Sequence, residues 1–149
     1  MASELKVDKF TGVTTAGSIL VTGEGNSTTT NLQQGLAKCW VNFDGSGTLS
    51  VRDSFSIASV TDGGTGNFTP NFSNAFNNTN YIGSGTPMAE YNHTRGNKGI
   101  GVGVASDDTI NNQTTTALQM FSNYGSTSTS NGGAFDTQAG FIVFFGDLA

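Results

Sequence analysis

Eleven carboxylates, one histidine and one cysteine are the side chains with which this chain of 149 residues could make or break a bond. A nucleophilic triad takes a Ser or Cys, a His and an acid within hydrogen-bond reach. His93, in Glu90-Tyr-Asn-His-Thr-Arg95, is the one imidazole on offer, and no Gly-x-Ser-x-Gly elbow accompanies it. It reads as a loop surface residue rather than a base. Cys39 falls in an alternating apolar stretch beside Trp40 and reads as a small buried hydrophobe. Paired carboxylates for glycoside cleavage could be drawn from Asp44, Asp53, Glu90, Asp107, Asp108 and Asp136. Nothing in their spacing pairs any two of them across a sheet. Asp107-Asp108 leads into Thr-Ile-Asn-Asn without an Asp-x-Asp-x-Asp-Gly calcium pattern, so it reads as a solvated turn. One His and one Cys cannot assemble a structural zinc site or an intrachain disulfide. No enzyme activity, metal or cofactor is expected.

The elements that would position such side chains are built from an unusual composition. Gly, Thr, Ser and Asn make close to half of the chain, and only 11% of it is charged. A share that high suits low-complexity chains, but a net charge of −5 is too small to hold the chain open by self-repulsion. The placement of the apolar residues argues for a folded domain with a thin core. Six basic residues scattered singly argue against nucleic-acid binding, which wants a clustered basic face. No stretch approaches the ~20 apolar residues of a membrane span. The opening Met1-Ala-Ser-Glu-Leu-Lys6 lacks the apolar region of a signal peptide, which predicts synthesis in a cytosol without export by the usual route. Six Asn-x-Ser/Thr sequons, at Asn26, Asn67, Asn71, Asn77, Asn92 and Asn112, are compositional in a chain so rich in these residues.

Period two dominates the apolar pattern, as in half-buried strands. Cys39, Val41 and Phe43 alternate against Trp40 and Asn42. Leu49, Val51, Phe55 and Ile57 continue the alternation through 48–60, with Arg52-Asp53 as a bulge or bend. Ile100, Val102 and Val104 alternate with glycines, where small residues allow another backbone or subunit to approach. Gly140-Phe-Ile-Val-Phe-Phe-Gly146 is apolar throughout and predicts a strand buried on both faces. Shorter strands are predicted at 5–10, 18–22, 67–72, 80–83 and 117–121. Asp44-Gly-Ser-Gly47 and Asp62-Gly-Gly-Thr-Gly66 are turns of the kind that close hairpins, predicted over 38–51 and 54–73. One short helix is predicted over 31–38, capped by Thr30 or Asn31, and one further turn over 73–78.

The pattern therefore predicts an all-β chain: an antiparallel β-sandwich or jelly-roll-like domain over 36–149, preceded by an extended N-terminal arm over 1–35. Leu5, Val7, Phe10, Ile19 and Val21 would either dock that arm onto another surface or form a first sandwich strand. With only seven Leu, the chain needs its aromatics in the core, where Phe43, Phe55, Phe68, Phe72, Phe141 and Phe144 are expected. Tyr91 and Tyr124 are the better candidates for exposed contacts. Residues 122–134, poor in large apolar side chains, read as a long exposed loop.

One stretch is distinctive: Leu36-Ala-Lys-Cys-Trp-Val-Asn-Phe-Asp-Gly-Ser-Gly-Thr48, then Arg52-Asp-Ser-Phe-Ser-Ile-Ala-Ser-Val-Thr-Asp-Gly-Gly-Thr-Gly-Asn-Phe-Thr-Pro-Asn-Phe72, with Asn80-Tyr81 shortly after. It resembles a β-rich module of tail-fibre and other virion-surface proteins of tailed bacteriophages, notably marine and cyanobacterial ones. The family phrase is roughly Lys-Ala-Trp-Val-Asn-Phe-Asn-Gly-Thr-Gly-Thr, followed by Asp-Ser-Phe-Asn-Val-Ser-Ser-Ile-Thr-Asp-x-Gly-Thr-Gly. The resemblance covers about residues 17–83 and is most specific over 38–66. Cys39 stands where Ala is usual, and Pro70 where a β-branched residue is common. A proline cannot donate to a ladder, which predicts that its strand lies at a sheet edge.

The resemblance implies a virion structural protein made in the host bacterial cytoplasm, a tail-fibre or capsid-surface fibre or knob subunit. It implies a homotrimer, whose contacts would also cover part of a thin core. The arm would attach to other virion proteins. The loops over 90–98, 107–116 and 122–134 would face a host glycan or protein, with Tyr91, Asn92, His93, Arg95 and Tyr124 as receptor-binding candidates. A capsule-degrading hydrolase is the weakest alternative, and no catalytic residue carries over from the family.

Overall fold

The structure, a computed structural model, describes residues 4–12, 19–23, 28–88, 98–102, 113–124 and 133–149. The chain divides into two compact units, Met1–Leu36 and Ala37–Ala149. In the first, β1 (Leu20–Thr22) pairs antiparallel with β2 (Thr29–Asn31), and one turn of helix, α1 (Leu32–Gly35), follows directly. Asn31 caps that helix: its side-chain oxygen accepts from the Gln34 amide at 3.2 Å. The strand predicted over 5–10 does not form, and Leu5, Val7 and Phe10 are exposed.

The second unit is all-β and antiparallel. Its strands are β3 (Cys39–Asp44), β4 (Ser50–Phe55), β5 (Ile57–Asp62), β6 (Asn67–Phe72), β7 (Ile82–Met88), β8 (Lys98–Val102), β9 (Met120–Tyr124), β10 (Gly133–Ala134) and β11 (Ala139–Phe145). They join in the order β4-β3-β11-β7-β8-β9-β6-β5, with β10 attached to β9. The sheet folds over on itself. Phe43 of β3 meets Phe68 of β6 with ring centroids 4.9 Å apart, and Phe144 of β11 meets Phe72 of β6 at the same separation. One layer is thus β4-β3-β11-β7 and the other β8-β9-β6-β5, which is a β-sandwich. Its two edge strands are consecutive in the chain, joined through Ser56 at φ 55°.

Both predicted hairpins form, β3–β4 and β5–β6. The register of β3 with β4 skips Arg52, so the bulge falls where the alternation breaks. Cys39, Val41 and Phe43 point inward, as their period predicts. They pack with Phe68, Phe72, Phe144, Met120, Leu118 and Ile142, together with two aromatics the pattern did not place, Phe76 and Tyr81. Phe76, Tyr81 and Phe144 surround Phe72 edge-on at 5.0, 5.5 and 4.9 Å, the geometry that ring quadrupoles favour.

Several expectations are corrected. Phe55 and Phe141 are not core residues, being 53% and 41% exposed. Phe55 lies opposite Trp40, and Phe141 opposite Asn42, both on the outer face of the first layer. β11 is accordingly buried on one face only: Ile142 and Phe144 point in, Phe141 and Phe145 out. The segment 122–134 is not loop throughout, because β9 runs to Tyr124 and pairs with β10. Residues 73–78 make bends and a bridge but no helical turn.

Pro70 does not mark an edge. β6 lies between β5 and β9. The Pro70 carbonyl accepts from the Leu118 amide at 3.3 Å, so the side of residue 70 that lacks an N–H also faces segment 117–118. There the regular β6–β9 ladder has ended at Phe68↔Met120, leaving an isolated bridge, Asn71↔Ala117. The missing donor coincides with a gap in the ladder, and pairing with β5 is untouched.

Candidate functional site

Strand direction gives the sandwich two dissimilar poles. β3 starts at Cys39 opposite Phe144 and ends in the Asp44–Gly47 turn, and β5 leads away from Ile57 to the Asp62–Gly66 turn. The chain enters beside Lys38, whose amide donates to the Phe144 carbonyl at 2.8 Å. At that pole also lie Ser56, Phe76 and the C-terminal residues, held by the Phe76↔Leu148 bridge and by the Ala149 amide on Ala75. At the opposite pole, Lys98 and Gly133 both lie across from Tyr124 in register. These residues flank 89–97 on one side and 125–132 on the other.

That second pole is tied together by one buried serine. The Ser122 amide donates to the Gly66 carbonyl at 2.8 Å, its carbonyl accepts from the Phe135 amide at 3.2 Å, and its hydroxyl donates to the Phe135 carbonyl. The Gly66 amide in turn donates to Asp136 Oδ1 at 2.8 Å. A small polar residue mid-strand has its donors and acceptors satisfied where a larger one would not fit. The Gly45 amide donates to Thr137 O at 2.7 Å, which fixes the first Asp-Gly turn to the same segment. The pole is therefore a rigid base. Tyr124 stands on it, half-buried, with its ring 6.3 Å from that of Phe135 and its hydroxyl close over Gly133.

Of the receptor-binding candidates, Tyr124 is the one within the described residues; Tyr91, Asn92, His93 and Arg95 lie outside them. The three predicted loops do not leave from one place. Residues 90–98 and 122–134 are flanked at the Tyr124 pole, whereas the segment after β8 follows Val102, which pairs with Met120 toward the Lys38 pole.

Three of the described carboxylates serve the two Asp-Gly turns. Asp44 Oδ1 accepts from the Ser46 amide at 2.9 Å and its hydroxyl at 2.6 Å, and Oδ2 pairs with Arg52 at 2.7 Å. The Ser46 hydrogen bonds, then the Arg52 charge, hold the Asp44 carboxyl below the usual range. Asp62 accepts from the Gly64 amide, and Asp136 from Gly66. Among the described residues no three His, Cys, Asp or Glu come together as a metal site. Burial pushes the Cys39 thiol up to about 12, the reverse of what a nucleophile needs. The Tyr81 hydroxyl, raised chiefly by burial, is directed at the Thr114 and Ala117 carbonyls at 2.8 and 3.0 Å.

A feature that sequence reasoning missed is the outer face of β3 and β11. Trp40, Phe141 and Val143, with Ser84, Gly85 and Thr86 of β7, line a cavity of about 330 Å³ there. The signal was the unbroken apolar run of β11, which places large side chains on both faces. No family model, curated protein or solved structure matches this chain.

Proposed function

We propose that this chain is a structural subunit of a bacteriophage virion, exposed on the particle as part of a tail fibre or a capsid-surface fibre or knob, and assembled as a homotrimer. Residues 1–35 attach it to other virion proteins, and the Tyr124 pole faces outward. The observation that carries this reading is the division of the sandwich into two poles. The chain enters beside Lys38 at one, while Lys98, Tyr124 and Gly133 flank the long segments at the other. An appendage needs such polarity, with attachment at one end and variable surface at the other. The resemblance over 38–66 supplies the virion context.

Antibody-gold labelling of intact particles tests the proposal. Label on the tail or capsid surface supports it, and particles that lack the chain refute it.

A second reading concerns binding to a host surface glycan or protein at the outer pole, through Tyr124 and residues 91–95. Its support is Tyr124 itself, an aromatic ring carried on a hydrogen-bonded base, which suits stacking against a sugar. Glycan-array binding lost in Tyr124→Ala, with the fold retained, is the expected result. Release of reducing ends from host polysaccharide by the purified protein would instead revive the hydrolase reading.

A further inference from the structure

We infer that the outer face of the β4-β3-β11-β7 layer is where copies of this chain meet one another. The inference deepens the homotrimer proposed above and rests on that reading for copy number alone.

The two outer faces of the sandwich differ in chemistry. On β5 and β6 the polar side chains are finished by hydrogen bonds: Asn71 Nδ2 donates to Ser59 Oγ and Thr61 Oγ1, each at 3.0 Å, and Gln119 donates to Asn67 at 2.7 Å. Such a face is complete in water. On the other layer, cross-strand register aligns Phe55, Trp40 and Val143 in one row, and sets Phe141 beside Asn42 in the next. Phe145 lies opposite Ile82, which is 67% exposed. The apolar surface these side chains leave open is on the order of 500 Å², at the upper end of what a monomer's largest patch exposes. With its polar border the face approaches the ~800 Å² per partner of a standard interface.

Three observations favour a second copy as the occupant. The centre of the face is neutral: β11 and β7 carry no charged residue, and the charges of β3 and β4 sit at the border, as Asp53 and the Asp44–Arg52 pair. A neutral centre spares two acidic copies direct charge repulsion where they would touch. An apolar centre with a polar border is also the anatomy of stable interfaces. The face holds both halves of a fit. Phe55 and Ile82 protrude from it, and the cavity of about 330 Å³ beside Trp40 has room for a ring, since an apolar cavity of about 150 Å³ already takes benzene.

Trp40 is the one tryptophan of the chain and lies in the face, so the intact protein reports on its own assembly. The experiment is sedimentation equilibrium of the full chain, with Trp40 emission followed on dilution, for the wild type, Phe141→Lys, Val143→Lys and the opposite-face control Thr61→Lys. The wild type and Thr61→Lys are expected to self-associate at micromolar concentration, with emission moving to the red on dilution. Phe141→Lys and Val143→Lys should weaken association about a hundredfold or more while keeping the wild-type circular dichroism. If either lysine variant fails to fold, the other and the wild-type dilution series still decide. A wild-type oligomer that neither variant disturbs overturns the face assignment and leaves the homotrimer standing. So does an oligomer that only Leu5→Lys or Phe10→Lys dissolves. A wild type that stays monomeric at high concentration overturns both, and particle labelling judges the virion reading separately.

Discussion

Phe43 of β3 and Gly140 of β11 face each other across the strand pair, and the phenyl ring fills the space that a β-carbon on the glycine would occupy. Phe144 and Gly83 repeat the relationship one strand over, with a β-carbon on Gly83 falling 2.8 Å from the ring. In this chain a glycine directly across from a phenylalanine is a seat for its ring, which is how a core with few aliphatic residues fills its space. Gly140→Ala should therefore destabilise the protein by about 1–3 kcal/mol through overpacking. Phe43→Leu, placed on that background, should recover part of the loss, measured as a coupling in a denaturant double-mutant cycle. Additive effects would mean that the ring is not held by the glycine.

Cys39 is 2% exposed and its thiol is raised to about 12 by burial. In the unfolded chain a thiol ionises near ~8.5. The thiol's contribution to stability is present below the unfolded value and is lost as pH rises toward the folded one, and Tyr81, raised in the same direction, adds to that loss. Stability should fall steadily above pH ~9, with a shallower fall in Cys39→Ala. In the native protein at pH 8 a thiol reagent should not modify Cys39 until denaturant is added.

Asp44 gives the opposite dependence. Its folded carboxyl is lowered, so its contribution is present above the ordinary carboxylate value of ~3.9 and is lost as pH falls through the lowered folded one. Asp44→Asn should lower the urea midpoint at pH 7. The gap to wild type should close as both are taken to strongly acid pH. A gap independent of pH would assign the effect to the turn's shape rather than its charge.

Tyr81 tests the Lys38 pole. Its hydroxyl has one hydrogen to share between the Thr114 and Ala117 carbonyls, and its ring stacks on Phe76 at 4.2 Å. Tyr81→Phe should cost about 1 kcal/mol, the net worth of a hydrogen bond, with the ring packing kept. Phe144→Ala, which removes a fully buried ring packed on Phe72, should cost about 3–5 kcal/mol. Both are read from chemical denaturation monitored by circular dichroism.

What the amino-acid pattern reveals is local. Thr30-Asn31 announces a helix cap, the Asp-Gly turns announce two hairpins, and the interrupted alternation at Arg52-Asp53 announces a bulge or bend, because each needs only its neighbours. The inward set Cys39, Val41 and Phe43 is legible because polar Asn42 breaks the other face. β11 offers no such break, so period two cannot say which of its residues face out, and Phe141 was misplaced for that reason. Phe55 went wrong through the Arg52 bulge, which shifts the pattern across which it was counted. Pro70 misled because its side of the ladder was already interrupted by the irregular segment 117–118. The two-pole arrangement was illegible, since it depends on pairing Tyr124 with Lys98 and Gly133 over long stretches of sequence.

The joint at Ser56 has a consequence for life at high local concentration. Because β4 and β5 are both consecutive in the chain and the two ends of the main strand order, the open edges of these two strands border a seam that starts at this residue. Exposed edges invite a stranger's strand to add on, and bulges and charges deter it. The seam has both, with the Arg52 bulge and Asp53 on one side and Asp62 on the other. The seam is thus guarded against the addition of a strand from a second copy.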